Sequence, residues 1–270
     1  MDKLYNEIYS RNIGIINASD QEKLQQSTIA IAGVGGVGGL LAERLIRIGV
    51  GRLKIADPGT FEKSNFNRQF GASMKSLGHN KAEQVFYQIK DINPQAKIDV
   101  NTTGMTSEAD AIQFVCDSDL VIDEMDFGLF KQSIGLQRAA RQRGIYYFFT
   151  SAIGFGSVIV IFSPKGLTLE EFDGVPENAD LNRIEKIHVA LERVMPILPS
   201  YTSINIPAAL QEIYTAERTV PTVSIGVGLA SILAANEAVN IILKKRDVVI
   251  APKYTYIDLL DQKFIIGNVS

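Results

Sequence analysis

Short apolar, β-branched runs alternate along the first 153 residues with longer segments whose apolar positions recur every three or four residues. The first pattern predicts buried strands and the second amphipathic helices. STIAIAG (27–33) predicts a strand, and LLAERLIRIG (40–49) a helix that ends at Gly49 or Gly51. RLKIAD (52–57) is a second strand, closed by an acid. KAEQVFYQIKDI (81–92) is a helix stopped by Asn93-Pro94. AKIDVNT, SEADAIQFVC, DLVIDEMD, FKQSIGLQRAARQRG and IYYFFTSAI continue as strand, helix, strand, helix and strand. Strands joined through helices by short loops predict a parallel sheet with helices on both faces, a doubly wound, Rossmann-like α/β fold.

The rhythm changes after Gly154. GSVIVIFSP predicts an added strand, KGLTLEEFDGVPEN a loop, residues 180–197 a helix, and residues 198–222 an irregular, proline-bearing stretch. TVSIGVGLASILAANEAVNIILKK predicts a long apolar helix, and YTYIDLLDQKFII a terminal antiparallel hairpin about Asp261-Gln262. The expected organisation is one domain over 1–270. It comprises a helical lead-in (1–27), a nucleotide-binding core (28–163), a crossover and substrate region (164–222), and a C-terminal helix and hairpin (223–270).

Composition narrows the class. A chain of 270 residues with 46% hydrophobic residues can bury a full core. Lys and Arg total 27 against 30 Asp and Glu, which argues against a nucleic-acid partner. The polar start MDKLYNEIYSRN carries no signal-peptide pattern, so a cytoplasmic protein is expected. Thr219 to Asn236 carries no charge, but its proline, glycines and serines favour a buried core helix over a membrane span. One cysteine leaves no cysteine-pair zinc site.

The glycines of GVGGVGG meet the G-x-G-x-x-G pattern at Gly33, Gly35 and Gly38, after a strand and at a helix start, with Gly36 inside the same turn. Such a turn lets backbone N–H groups and a helix dipole meet a phosphate. Asp57 follows Gly38 by 19 residues, at a strand exit suited to ribose hydroxyls. Those features allow several nucleotides. Arg68 and Lys81, with the polar Asn65 and Gln69, add cations and donors that a triphosphate needs and a dinucleotide does not. Asp123 and Asp126 leave a central strand where a carboxylate can hold magnesium against phosphate oxygens.

GVGGVG, Asp57, SNFNRQF, the lysine of GHNKAEQ, INP and DLVIDEMD resemble, in order and spacing, the MoeB/ThiF/HesA family. These are adenylyltransferases related to ubiquitin-activating enzymes. The resemblance is close over about residues 5–162 and weaker over 223–243. It implies that the glycine loop and Asp57 hold ATP, and that Asn65, Arg68, Gln69 and Lys81 bind its ribose and phosphates. It also implies that Asp126 coordinates magnesium, with Asp123 as a supporting neighbour. YSRNIGI resembles the family's Y-x-R-Q-I element, which makes Arg11 a contributor to a partner subunit's ATP and implies a homodimer; Asn12 replaces the glutamine.

The implied reaction is attack of a substrate carboxylate on the α-phosphorus of ATP, giving an acyl adenylate and pyrophosphate. The substrate classes are the C-terminus of a small ubiquitin-like or sulfur-carrier protein, a peptide, or a small acid. One branch of the family dehydrates a modified adenosine in tRNA. The chain departs from many relatives in lacking two C-x-x-C pairs and a crossover cysteine. Cys116 is expected to be a small buried packing residue, and His79 and His188 structural or surface groups. The competing readings are an NAD-dependent oxidoreductase, resting on the glycine turn and Asp57, and a non-catalytic nucleotide-binding partner protein.

Overall fold

A computed structural model of the chain describes residues 3–184, 187, 189, 190, 193, 195–202 and 221–269. Five parallel strands form its centre: β1 (Thr28–Ala32), β2 (Arg52–Ala56), β3 (Lys97–Asn101), β4 (Leu120–Asp123) and β5 (Tyr146–Ile153). Three antiparallel strands extend them: β6 (Gly156–Phe162), β7 (Lys253–Asp258) and β8 (Lys263–Asn268). The order is β3-β2-β1-β4-β5-β6-β7-β8. Strand order therefore reverses between β1 and β4, and the crevice beyond their C-terminal ends is where open α/β sheets hold ligands.

β1 is buried at every residue and β6 likewise, because helices cover both faces. One layer contains α3 (Gly36–Ile48), α4 (Lys81–Ile92) and α8 (Ser224–Leu243), packed on Ile29, Ile31, Ile55, Ile122 and Phe148. The other contains α5 (Glu108–Val115), α6 (Phe130–Gln142) and α7 (Leu169–Asp173), packed on Ala30, Val121, Tyr147 and Phe162. α8 is long and apolar enough to cross a membrane, yet it packs on α3, β5 and β6 as a core helix. The lead-in forms α1 (Lys3–Ile8), a 3₁₀ turn at Ser10–Asn12 and α2 (Ala18–Gln26). Its Tyr5 and Tyr9 hydroxyls donate to the Gly49 and Ile46 carbonyls, each at 2.6 Å, closing the C-terminal end of α3.

Three expectations change. The loop expected after β6 contains α7, because Thr168 and Glu171 form a capping box and Gly174 closes the turn in the left-handed region. The helix expected over 180–197 is turn, bend or coil at residues 180–184 and 195–197, and much of its remainder lies outside the described residues. Asp180 accepts the Asn182 N–H in a local turn, and Pro196 cannot continue a helix. Cys116 is exposed rather than buried: α5 ends at Val115, so the cysteine falls beyond the stripe of Ala111, Phe114 and Val115. Its carbonyl accepts a 2.8 Å hydrogen bond from Lys54.

Candidate nucleotide site

β1 enters a turn at Gly33, where φ is +86°, and α3 starts at Gly36. A methyl on Gly33 would lie 2.2 Å from the Glu124 carbonyl oxygen, and one on Gly38 would lie 1.9 Å from the Gly33 carbonyl oxygen. Both positions therefore require glycine. No side chain caps α3, so its first N–H groups and positive dipole end face the crevice, a ready anion site.

Asp57 braces this turn. It lies one residue past β2, is 8% exposed, and accepts the Val34 N–H at 2.9 Å and the Gly59 N–H at 2.8 Å. Burial raises its pKa, while the Gly59 and Val34 hydrogen bonds and the charge of Lys81 pull it down and Asp126 pushes it up. A carboxylate has about four lone-pair sites, so Asp57 keeps acceptor capacity for ribose after binding both amides.

The loop between β2 and α4 supplies the cations. Glu62 and Asn65 cap a 3₁₀ turn at Lys63–Asn65 reciprocally, so the buried Asn65 shapes the loop through its own Oδ1. Arg68 donates through Nη1 to the Ser64 carbonyl and Asn67, and its Nε lies 3.8 Å from where a Gly36 methyl would stand. The Gln69 amide lies 3.6 Å from the corresponding point on Gly35. Its buried Oε1 has no hydrogen-bond partner among the described residues, an orphan aimed at the turn. Lys81 is the first residue of α4, and its Nζ lies 3.4 Å from a methyl placed on Gly59. Val227 of α8 closes the far side, 3.4 Å from the Gly36 methyl position.

The exit of β4 sorts its three acids differently. Asp126 is exposed and close enough for its charge to act on Asp57. Asp123 does not face the turn. Its oxygens accept from Tyr147 Oη at 2.6 Å and from the Met125 N–H at 3.0 Å, in the layer beneath α6, which ties this carboxylate into the fold. Glu124, which carried no signal in the sequence beyond its place between two aspartates, lies under the glycine turn. It accepts the Thr150 hydroxyl at 2.6 Å, and burial pushes its carboxyl well above the ordinary range.

Arg11 is exposed at the opposite end of α3 from the turn, held there by Asn12, whose amide donates to Gln21 and to the Ile48 carbonyl. Thirteen residues of α3 put about 18 Å between the two ends. His79 is exposed, and its backbone carbonyl accepts the Phe61 N–H at 3.0 Å, a loop-forming role; His188 lies outside the described residues. Cys116 lies at the opposite end of the strands from the turn, just before β4 begins. Among the described residues no group of three or more His, Cys, Asp or Glu is placed to hold a metal. Magnesium commonly takes one or two carboxylates and completes its shell with phosphate oxygens and water, so the single exposed Asp126 fits it.

The model of the ThiF family matches residues 9–269. The tRNA threonylcarbamoyladenosine dehydratase of Bacillus subtilis (strain 168) is 36% identical over 137 residues, 51% of this chain and 53% of that protein. Ubiquitin-like modifier-activating enzyme 5 of Bombyx mori is 34% identical over 108 residues, 40% of this chain and 26% of that enzyme. The matched segments thus span about half of the first relative and a quarter of the second. The crystal structure of E. coli MccB with ATP superposes over 100% of this chain and 74% of that one, with a TM-score of 0.70 at 17% identity, a likeness of fold.

Proposed function

The chain belongs to the ThiF family, and from that premise we propose that it is a cytoplasmic ATP-dependent adenylyltransferase that activates a substrate carboxylate. The carrying observation is that Arg68 lies against the glycine turn while Lys81, beside Gly59, and Asp126 act on Asp57, the carboxylate that braces the same turn. A dehydrogenase has little need for that charge set beside a pyrophosphate the turn already holds, and its presence weighs against a protein that has lost turnover.

The substrate carboxylate attacks the α-phosphorus, an O–P bond forms, and the bond to the pyrophosphate oxygen breaks with its electron pair leaving on pyrophosphate. The attacking group is already ionised at neutral pH, so no general base is required. The open N–H groups of α3 cradle phosphate oxygens. Arg68 and Lys81 neutralise charge that builds on the leaving group, which is electrostatic and positional catalysis. Asp126 would hold magnesium, which when bound supplies further neutralisation of the triphosphate.

The substrate is a C-terminal carboxylate of a ubiquitin-like or sulfur-carrier protein, a peptide, or a small acid. The Bombyx mori relative, named for activating ubiquitin-like modifiers, supports the first. The B. subtilis relative is named for a modified adenosine in tRNA, a substrate that the near-balanced charge of this chain, 27 Lys and Arg against 30 Asp and Glu, argues against. ATP–pyrophosphate exchange measured with each class and magnesium is expected to light up for one of them. Tight NAD binding without ATP binding overturns the proposal. ATP binding without exchange across all classes favours a non-catalytic partner protein.

The enzyme acts as a homodimer in which Arg11 reaches the partner's nucleotide. Arg11 sits too far from its own turn, beside Ile13 and Ile15, which are 53% and 93% exposed. Mixing Arg11→Ala with Lys81→Ala subunits is expected to restore exchange that neither variant supports, because one site in each hybrid is then complete. Absence of recovery in a proven hybrid argues against the sharing.

A further inference from the structure

We propose that Asn80 is a positioning residue for Lys81, acting through the two hydrogen bonds its side-chain amide donates; this rests on the ATP-site reading above. Asn80 is the N-cap of α4, and its Oδ1 accepts the Glu83 N–H at 3.1 Å. A cap needs nothing more than that acceptor. The Nδ2 group does separate work, donating to the Asp57 carbonyl at 3.0 Å and the Gly59 carbonyl at 3.2 Å.

Those two carbonyls belong to the short segment that leaves β2. The Gly59 carbonyl also accepts the Lys81 N–H at 2.9 Å, and the Gly59 N–H is held by the Asp57 carboxylate. The same carboxylate holds Val34 in the glycine turn. One continuous frame therefore runs from the turn through Asp57 and Gly59 to Asn80 and Lys81. Lys81 itself starts a helix, where its charge opposes the dipole, so the local helix does not favour an inward lysine. The Asn80 amide fixes the backbone on both sides of Gly59, and with it the point from which Lys81 Nζ reaches the phosphates.

Asn, Asp and Ser cap helices about equally well, so cap and positioning separate cleanly. Asn80→Ser keeps the cap acceptor and removes both donations. Asn80→Asp keeps the cap and turns an oxygen toward two carbonyl oxygens. Binding of ATP is measured by calorimetric titration of the full chain, with thermal unfolding as the check on the fold. The expected result is a folded chain whose unfolding midpoint falls modestly, as the loss of two hydrogen bonds requires, and ATP binding weaker by about tenfold for Asn80→Ser, more for Asn80→Asp. In a Lys81→Gln background, Asn80→Ser is expected to add no further loss, because its effect runs through the lysine. Two results overturn the inference alone: ATP binding unchanged in both Asn80 variants, or losses that multiply in the double variant. Failure of the unchanged protein to bind ATP overturns the site reading itself.

Discussion

The exits of β2 and β4 flank β1, and each carries a buried aspartate, Asp57 at 8% and Asp123 at 5% exposure. The first braces the nucleotide turn and the second braces the opposite layer. Register explains the difference. Ala32 of β1 pairs with both Ala56 and Asp123, so Asp57 stands one residue further out than Asp123. Successive side chains leave a strand on opposite faces. Asp123 therefore shares a face with Ala56 and meets Tyr147, while Glu124 and Asp57 emerge toward the turn. Two acids that each follow an apolar strand in the sequence acquire different chemistry from a one-residue offset.

Replacing the charges of the site should have the largest effect. Arg68→Ala, Lys81→Ala and Asp126→Ala are each expected to cut exchange by about 10²–10³-fold. All three should leave the unfolding midpoint nearly unchanged, since none is buried. Unchanged exchange in any of them removes that residue from the site.

The contrast between the two exits comes next. Asp57→Ala strands two backbone N–H groups and should cost about 2 kcal/mol of stability together with roughly tenfold or more in ATP affinity. Asp123→Asn should cost about 1–3 kcal/mol of stability with ATP affinity within about twofold of the unchanged protein. Denaturant unfolding and ATP titration of both variants test this directly. Equal losses of ATP affinity would erase the distinction.

The β4 side should also show in pH dependence. Burial pushes the Asp173 carboxyl up to about 7; nearby Arg193 pulls it down and Asp123 pushes it up. The folded state therefore holds a proton that the unfolded chain releases near its ordinary pKa of 3.8. This contribution is complete below about pH 4, declines as pH rises, and is gone above about pH 7, a change of at most about 4 kcal/mol. Asp173→Asn should flatten that slope, and an unaltered slope would remove Asp173 as its source. The smallest effect belongs to Cys116→Ser. On an exposed position at the opposite end of the strands from the turn, it should change exchange and stability by no more than about 0.5 kcal/mol.

Much of this was legible in advance where local chemistry controls the outcome. Gly49 ends α3 and Asn93-Pro94 ends α4 because helix stops are written in glycine conformation and proline geometry. α7 was hidden, although Thr168 and Glu171 spell its cap, because five residues show little period. The exposure of Cys116 turned on where α5 stops, and one residue moved it off the buried stripe.

The sequence by itself determined the alternation of strands and helices, the need for glycine in the turn, and a set of charges suited to a triphosphate. These follow from residue type and spacing. Only the tertiary structure decided which acids face the turn, that Asn80 ties the loop to Lys81, and that Arg11 lies at the far end of α3. Those depend on pleat parity, strand register and hydrogen bonds between residues 20 or more positions apart, which a linear pattern does not encode.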